Sequence, residues 1–259
     1  MWGAVIGDLA GSIYEFNQYK KTERVCVKDL IPSNSFYSDD SILTIAVLDA
    51  ILNNGDYSSY LKKYANSYSL YKPSFEPYFK SSFSPGFTKW SKGDYIGNSI
   101  GNGAMMRISP VGYLFDTEEE VISNAYLATY PSHNSYEAIS SATIVAMIIY
   151  LARRGYSKDD IISRLNLKFS FSSFNEFNYT CFSTLDNCLY ALFNSNSYVE
   201  ALKTVISYGG DTDTNASIVG SMAEALYGID DELILKASEK IPSCFIDLLN
   251  KGYSRIKKL

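Results

Sequence analysis

Ser207-Tyr208-Gly209-Gly210-Asp211-Thr212-Asp213-Thr214-Asn215 leads into a run of small and apolar residues that ends at Tyr227-Gly228. Ala216, Ile218, Val219, Met222, Ala223, Ala225 and Leu226 predict a helix with little polar surface, and such a helix is buried. Ser217, Gly220 and Ser221 are small enough to let a neighbouring helix come close. Gly209 and Gly210 open backbone shapes closed to other residues. Asp211 and Asp213, two apart, project to the same side of an extended turn. Two carboxylates about 4 Å apart repel by roughly 4 kcal/mol at an effective dielectric near 20. A helix N-terminus offsets only about 0.3–1 kcal/mol of that per charge. The turn therefore asks either for a cation or for the plainer role of a helix cap, the common task of Asp at this position.

Outward from this turn the apolar spacing stays helical. Helices are predicted over 180–193 and 197–208 upstream, and over 230–240 and 242–256 downstream. Further upstream they fall at 118–129, 136–153 and 158–165, and at 57–71 with a tyrosine stripe. Another runs from Ile42 to Leu52, stopped by Asn53-Asn54-Gly55. Residues 2–16 carry Gly3, Gly7 and Gly11 four apart, a smooth stripe for close packing. Asp8 and Glu15 stand seven apart, so one helix could direct both to the same side. An acid in such an apolar setting is rarely a solvated one. Segments 17–36 and 166–179 read as irregular, and 72–103 as the longest irregular stretch. No strand alternation, βαβ rhythm or fixed-period repeat is visible. The expectation is an all-α fold, a single compact orthogonal multi-helix domain over 1–259.

Composition narrows the function. A formal charge of −5 without a basic patch gives no footprint for nucleic-acid binding. No uninterrupted apolar run reaches the roughly 18 residues of a membrane span, and Asp8 breaks the short apolar run at the start, unlike a signal peptide. Cys26, Cys181, Cys188 and Cys244 form no Cys-x-x-Cys pair; 181 and 188 read as core thiols. A reducing, cytoplasmic setting is expected. With one histidine and no paired cysteines, zinc is a poor match. Any metal must be held by oxygen.

Ser38-Asp39-Asp40-Ser41 opens the helix at 42–52, so two clusters of aspartates and hydroxyls each precede an apolar helix. Alone, each is an acceptable cap. Meeting in space, they would suit hard cations such as magnesium, which take carboxylate, hydroxyl and water oxygens. The stretch Gly97-Asn98-Ser99-Ile100-Gly101-Asn102-Gly103 is a glycine-rich loop before a helix, a plain loop or one offering N–H groups to an anion. His133 sits at a helix start, where it either caps or places an imidazole beside an anionic ligand. Arg107 reads as a structural ion-pair partner.

Taken together, Gly3-Ala4-x-x-Gly7-Asp8-x-x-Gly11-Ser12-x-Tyr14-Glu15-Phe16, Ser38-Asp39-Asp40-Ser41, Gly101-Asn102-Gly103-Ala104-x-Met106-Arg107, Ser132-His133 and Gly209-Gly210-Asp211-x-Asp213-Thr214 resemble the ADP-ribosylglycohydrolase family, in its compact microbial form. The resemblance implies a binuclear Mg²⁺ or Mn²⁺ centre held by Ser38, Asp39, Asp40, Asp211, Asp213 and Thr214. It also implies a catalytic Glu15 near the scissile bond. Asn98, Ser99, Gly101, Asn102, Gly103 and His133 would contact the diphosphate and distal ribose. The implied reaction is hydrolysis at C1 of the distal ribose, releasing ADP-ribose from a modified protein or small molecule. The family has threonine where this chain has Ser38 and Ser41. The alternatives are a catalytically inactive ADP-ribose-binding or structural relative, and a dimetal hydrolase of another phosphate ester. A monomer is expected. The acceptor is left to 17–36 and 72–96.

Overall fold

The structure is a computed structural model and describes residues 1–15, 24–73, 82–172 and 176–256. Parts of the two segments expected to choose the acceptor, 16–23 and 74–81, lie outside the described residues. Among the described residues the chain is all-α. The first helices are α1 (Trp2–Gly11), α2 (Asp39–Leu52), α3 (Tyr57–Ser67), α4 (Pro85–Ser91), α5 (Gly103–Met106) and α6 (Ser109–Leu114). They are followed by α7 (Glu118–Thr129), α8 (Tyr136–Arg153), α9 (Lys158–Arg164) and α10 (Cys181–Phe193). The last are α11 (Tyr198–Ser207), α12 (Thr212–Tyr227), α13 (Asp231–Ser238) and α14 (Ser243–Arg255). Two isolated antiparallel bridges, Asn98 with His133 and Gly101 with Thr180, tie the glycine loop to its neighbours.

Short polar side chains start these helices by satisfying free N–H groups. Thr117 and Glu120 form a capping box on α7, and Ser157 and Asp160 form one on α9. Ser135 accepts from Ala138 N–H on α8, and Ser197 accepts from Glu200 N–H on α11.

The most extensive helix pair is α1 on α12, and every residue of α1 is buried. The glycine stripe explains the closeness. A Cβ on Gly7 would stand 2.0 Å from the Ala216 carbonyl oxygen, and one on Gly11 2.2 Å from that of Thr212. Gly3 and Gly220 face one another, each Cβ position 2.1 Å from the other's carbonyl oxygen. The two backbones touch, as only glycine allows. The apolar residues around this pair, including Ile42, Leu43, Ile45, Val145, Ile148, Ile149 and Met222, belong to one continuous buried cluster. Helix α8 has the length and composition of a membrane span, but most of it is buried, against α7, α6 and α12. Cys181 and Cys188 are buried, as expected, and Cys26 and Cys244 are exposed.

Three expectations need correction. The first helix stops at Gly11, where Ser12 and a tight turn, Tyr14 N–H to Gly11 C=O at 3.0 Å, end it. Asp8 and Glu15 therefore do not share a helix. The stretch 72–103 is not irregular throughout. Ser84 accepts from Phe87 N–H, and Pro85 stands at the first position of α4, whose missing N–H costs nothing there. Arg107 forms no ion pair among the described residues. It sits just after α5 and bonds instead to a carbonyl and a hydroxyl, as detailed below.

Candidate metal centre and ligand cleft

Close packing of α1 on α12 brings acids from three chain segments together. Asp8 comes from α1, Glu15 from the turn beyond it, Asp39 and Asp40 from the start of α2, and Asp211 and Asp213 from the start of α12. Oxygens of Asp8, Asp40 and Asp213 lie within 4.8 Å of one another, and so do oxygens of Glu15, Asp211 and Asp213. The two groups share Asp213.

Each acid is held differently. Asp8 Oδ2 accepts from the N–H groups of Ser38 (2.8 Å) and Ser41 (3.0 Å), and from Ser41 Oγ. One buried carboxylate thus fastens the N-terminus of α2 to α1. Asp40 Oδ2 accepts from Ser38 Oγ (3.1 Å) and Thr214 Oγ1 (3.3 Å), which links α2 to α12. Asp211 does not cap its helix through its side chain. Its Oδ2 accepts from Asn102 Nδ2 at 2.7 Å. Asp213 Oδ1 accepts from Thr214 N–H at 2.9 Å. Asp39 joins neither three-acid group, and its Oδ1 accepts from Ser82 Oγ at 3.0 Å. Ser38 lies wholly buried behind Asp40, its Oγ also accepting from the Asp40 N–H at 3.2 Å.

The electrostatics are one-sided. No ion pair reaches these acids among the described residues. Burial, then the charges of Asp211, Asp39 and Asp8, pushes Glu15 up to about 9. Burial pushes Asp39 up to about 7 and Asp8 up to about 6. Asp40 and Asp213 are driven well above the usual carboxylate range, by burial first and then by their acidic neighbours. Asp8 Oδ1, Asp40 Oδ1 and Glu15 Oε2 are buried without a donor. Buried acceptors normally have partners, so three orphaned carboxyl oxygens mark a place for something positive. All-oxygen donors fit a hard cation.

The acids open on a cleft of about 640 Å³, lined by Glu15, Asp39, Asp40, Asp211, Asp213 and Thr214 together with Ser99, Gly101, Asn102, Gly103 and His133. Phe83, Phe87, Phe177 and Tyr179 supply apolar wall. Asn98 instead lines a neighbouring cavity of about 280 Å³, which His133 and Ser99 share. A larger cleft, about 880 Å³, lies between α3, α7 and the end of α14. It holds none of the clustered acids, and its Asp56 is spent capping α3, so the smaller cleft is the candidate site.

The glycine loop is less open to an anion than its composition suggests. The N–H groups of Gly97, Ser99, Gly101 and Asn102 donate to Pro131 O, Ser132 O, Ser99 Oγ and Tyr179 O. Helix α5 behind the loop is only four residues long. Asn102, which lines the cleft, also donates from its side-chain amide to Asp211. His133 does not cap α8; Ser135 does. The His133 ring is buried with Nδ1 2.7 Å from Ser132 Oγ. Arg107 is wholly buried, its Nη2 donating to Ala128 O (3.2 Å) and Ser132 Oγ (2.7 Å).

The structural part that sequence reasoning did not assign is the tether at Asp8, together with Ser41, Ser82 and the Asn102 contact to Asp211. For Asp8 a signal existed, an acid set inside a glycine stripe. The other contacts join residues far apart in the chain and left no local trace.

An all-helical fold with an acidic, oxygen-lined centre at the foot of a cleft defines a helical protein with a candidate hard-cation site beside a small-ligand cleft. A profile of the ADP-ribosylglycohydrolase family matches residues 1–257, and the chain belongs to that family. It is 23% identical to the ADP-ribosylarginine hydrolase Tri1 of Pseudomonas putida, over 88% of this chain and 69% of that protein. It is 20% identical to the mouse ADP-ribosylhydrolase ARH3, over 88% of this chain and 82% of that protein. A solved ADP-ribosylglycohydrolase-related protein complex superposes with a TM-score of 0.73 at 18% identity, covering 99% of this chain and 96% of its counterpart. The family read from the motifs and the all-α fold are both borne out.

Proposed function

We propose that this chain hydrolyses the bond between C1 of the distal ribose and an acceptor atom, releasing ADP-ribose, with two divalent cations, Mg²⁺ or Mn²⁺, in the acidic centre. The observation that carries the reading is the pair of three-acid groups sharing Asp213, with buried carboxyl oxygens that have no donor. Asp40, Asp211, Asp213 and Thr214, with Asp39 and Ser38, would hold the cations, and Asp8, grouped with Asp40 and Asp213 and with one oxygen free of a donor, would add to the same site. Bound there, the cations would supply Lewis acidity, polarising substrate oxygens and easing deprotonation of a water.

The protein's own groups do the rest. Glu15, grouped with Asp211 and Asp213 and with one oxygen free, would take a proton from water or orient it. Positive charge in the centre would draw its carboxyl down from about 9 toward an ionised base. Bond cleavage gives the sugar carbon oxocarbenium character, which nearby carboxylates stabilise. The cleft of about 640 Å³ falls in the range of small-ligand sites. Asn98, Ser99, Gly101, Asn102, Gly103 and His133 would position the diphosphate and distal ribose, so that remote binding fixes the reacting bond.

The test is release of ADP-ribose from arginine-, serine- and nucleotide-linked substrates, run with Mg²⁺, with Mn²⁺ and with chelator. Metal-dependent ADP-ribose release supports the proposal. Tight ADP-ribose binding without turnover on every substrate, or release of AMP or phosphate instead, refutes it.

A further inference from the structure

Arg107 is unusual for a buried cation. No carboxylate pairs with it among the described residues, its Nε and Nη1 have no partner there, and its guanidinium rests 5.9 Å from the Phe87 ring centroid. What it does hold is Ser132 Oγ, which in turn touches His133 Nδ1, both at 2.7 Å.

We infer that Arg107 is a positioning residue: acting through Ser132, it fixes neutral His133 with its proton on Nε2, so that the ring offers one fixed hydrogen-bond donor to an oxygen acceptor in the cleft. A guanidinium only donates, so Ser132 Oγ accepts from Arg107. Ser132 is 3% exposed, and its hydroxyl has a single hydrogen to place. Among the described residues, the only other atom in bonding contact with Oγ is His133 Nδ1. If Nδ1 carried the proton, both neighbours would donate to Ser132 and its own hydrogen would be buried without an acceptor, a costly state. Nδ1 therefore accepts, and the proton sits on Nε2. Nε2 faces the glycine loop, 3.8 and 3.6 Å from where Cβ atoms on Gly101 and Gly103 would be, so glycine keeps the space before it clear. Burial and the Arg107 charge both disfavour the imidazolium, so the ring is a neutral donor and not a cation. That the acceptor is a phosphate or ribose oxygen of ADP-ribose rests on the function proposed above; the tautomer does not.

His133 is the only histidine in the chain, so a long-range ¹H–¹⁵N spectrum of the intact labelled protein contains one imidazole. At neutral pH the protonated nitrogen is expected to be the one coupled to both ring carbon-bound protons, Nε2. A proton on Nδ1, an imidazolium or an exchange-averaged ring overturns the inference. Ser132→Ala and Arg107→Met are expected to lose the preference and show both tautomers. An unchanged single tautomer in both removes Arg107 and Ser132 from the role. Circular dichroism checks that Arg107→Met folds; if it does not, the smaller Ser132→Ala change decides. By calorimetry, Ser132→Ala should bind ADP-ribose about threefold to tenfold more weakly, the effect of one misdirected hydrogen bond. Unchanged affinity refutes the donor role. If the wild type does not bind ADP-ribose at all, the function fails while the spectrum still judges the tautomer.

Discussion

Replacing Asp213 by asparagine should make the metal-free protein more stable and abolish its response to magnesium. Asp213 belongs to both three-acid groups, with its oxygens within 4.8 Å of those of Asp8, Asp40, Glu15 and Asp211. At that separation each fully ionised pair costs roughly 3.5 kcal/mol at an effective dielectric near 20. The acids avoid most of this by keeping protons, with Asp8, Asp39 and Glu15 pushed up to about 6, 7 and 9. A carboxyl whose folded pKa exceeds its unfolded value binds its proton more tightly when folded. Its stabilising effect is therefore complete below the unfolded value, about 4, and is lost as pH rises through the folded value. Without metal, the wild type should lose stability steadily from about pH 4 to pH 9. Asp213→Asn removes the shared titrating carboxyl, which costs stability at pH 8 either by repulsion or by taking up a proton, and should gain about 2 kcal/mol there in chelator, a Tm rise of ~4–8 °C for a chain of this size. Near pH 4, where the wild-type cluster already holds its protons, the gain should vanish. Magnesium at pH 8 should raise the wild-type Tm and leave the variant unmoved, with ADP-ribose release lost and helical circular dichroism unchanged. Thermal unfolding at both pH values, with and without magnesium, checks all of this. A variant less stable than wild type in chelator at pH 8, or one still stabilised by magnesium, would refute the reasoning.

Three further outcomes are expected. Gly7→Ala places a Cβ 2.0 Å from the Ala216 carbonyl oxygen, with backbone on both sides and no room to yield; it should cost about 3 kcal/mol or more, seen as a Tm fall of at least ~6 °C. Glu15→Gln should slow turnover by about 10²–10⁴-fold, the range for a lost general base, while ADP-ribose affinity stays within about tenfold; equal activity would remove Glu15 from the chemistry. Asp8→Asn keeps the shape but not the charge, and should weaken magnesium binding about 10–100-fold by calorimetry with the helical spectrum intact.

Most helices were legible because apolar spacing and capping residues are local. The helix read at 118–129 coincides with α7, and that at 136–153 with α8. The acidic turn and the Ser38-Asp39-Asp40 start were legible for the same reason. What escaped was set by contacts between distant segments or by small local signals. The run through Glu15 looked helical, yet the chain turns after Gly11 and delivers that carboxyl to the cleft edge. Ser84-Pro85 started a short helix inside a stretch whose composition suggested none. Nothing local in the sequence showed that Asn102 also bonds to Asp211, 109 positions away. Arg107 looked like half of an ion pair because arginine commonly is. Only the fold shows that its neighbour is Ser132.

The backbone contact between α1 and α12 also sets how stiff the centre is. Side-chain packing can relax when a neighbour changes, but two main chains already touching cannot move closer. The gap between Asp8 on one helix and Asp213 on the other is thus a hard stop, dictated by peptide dimensions. For the cations proposed above, such a stop would limit how far the centre can shrink around a smaller ion, a limit set by the glycines of α1 and not by the acids.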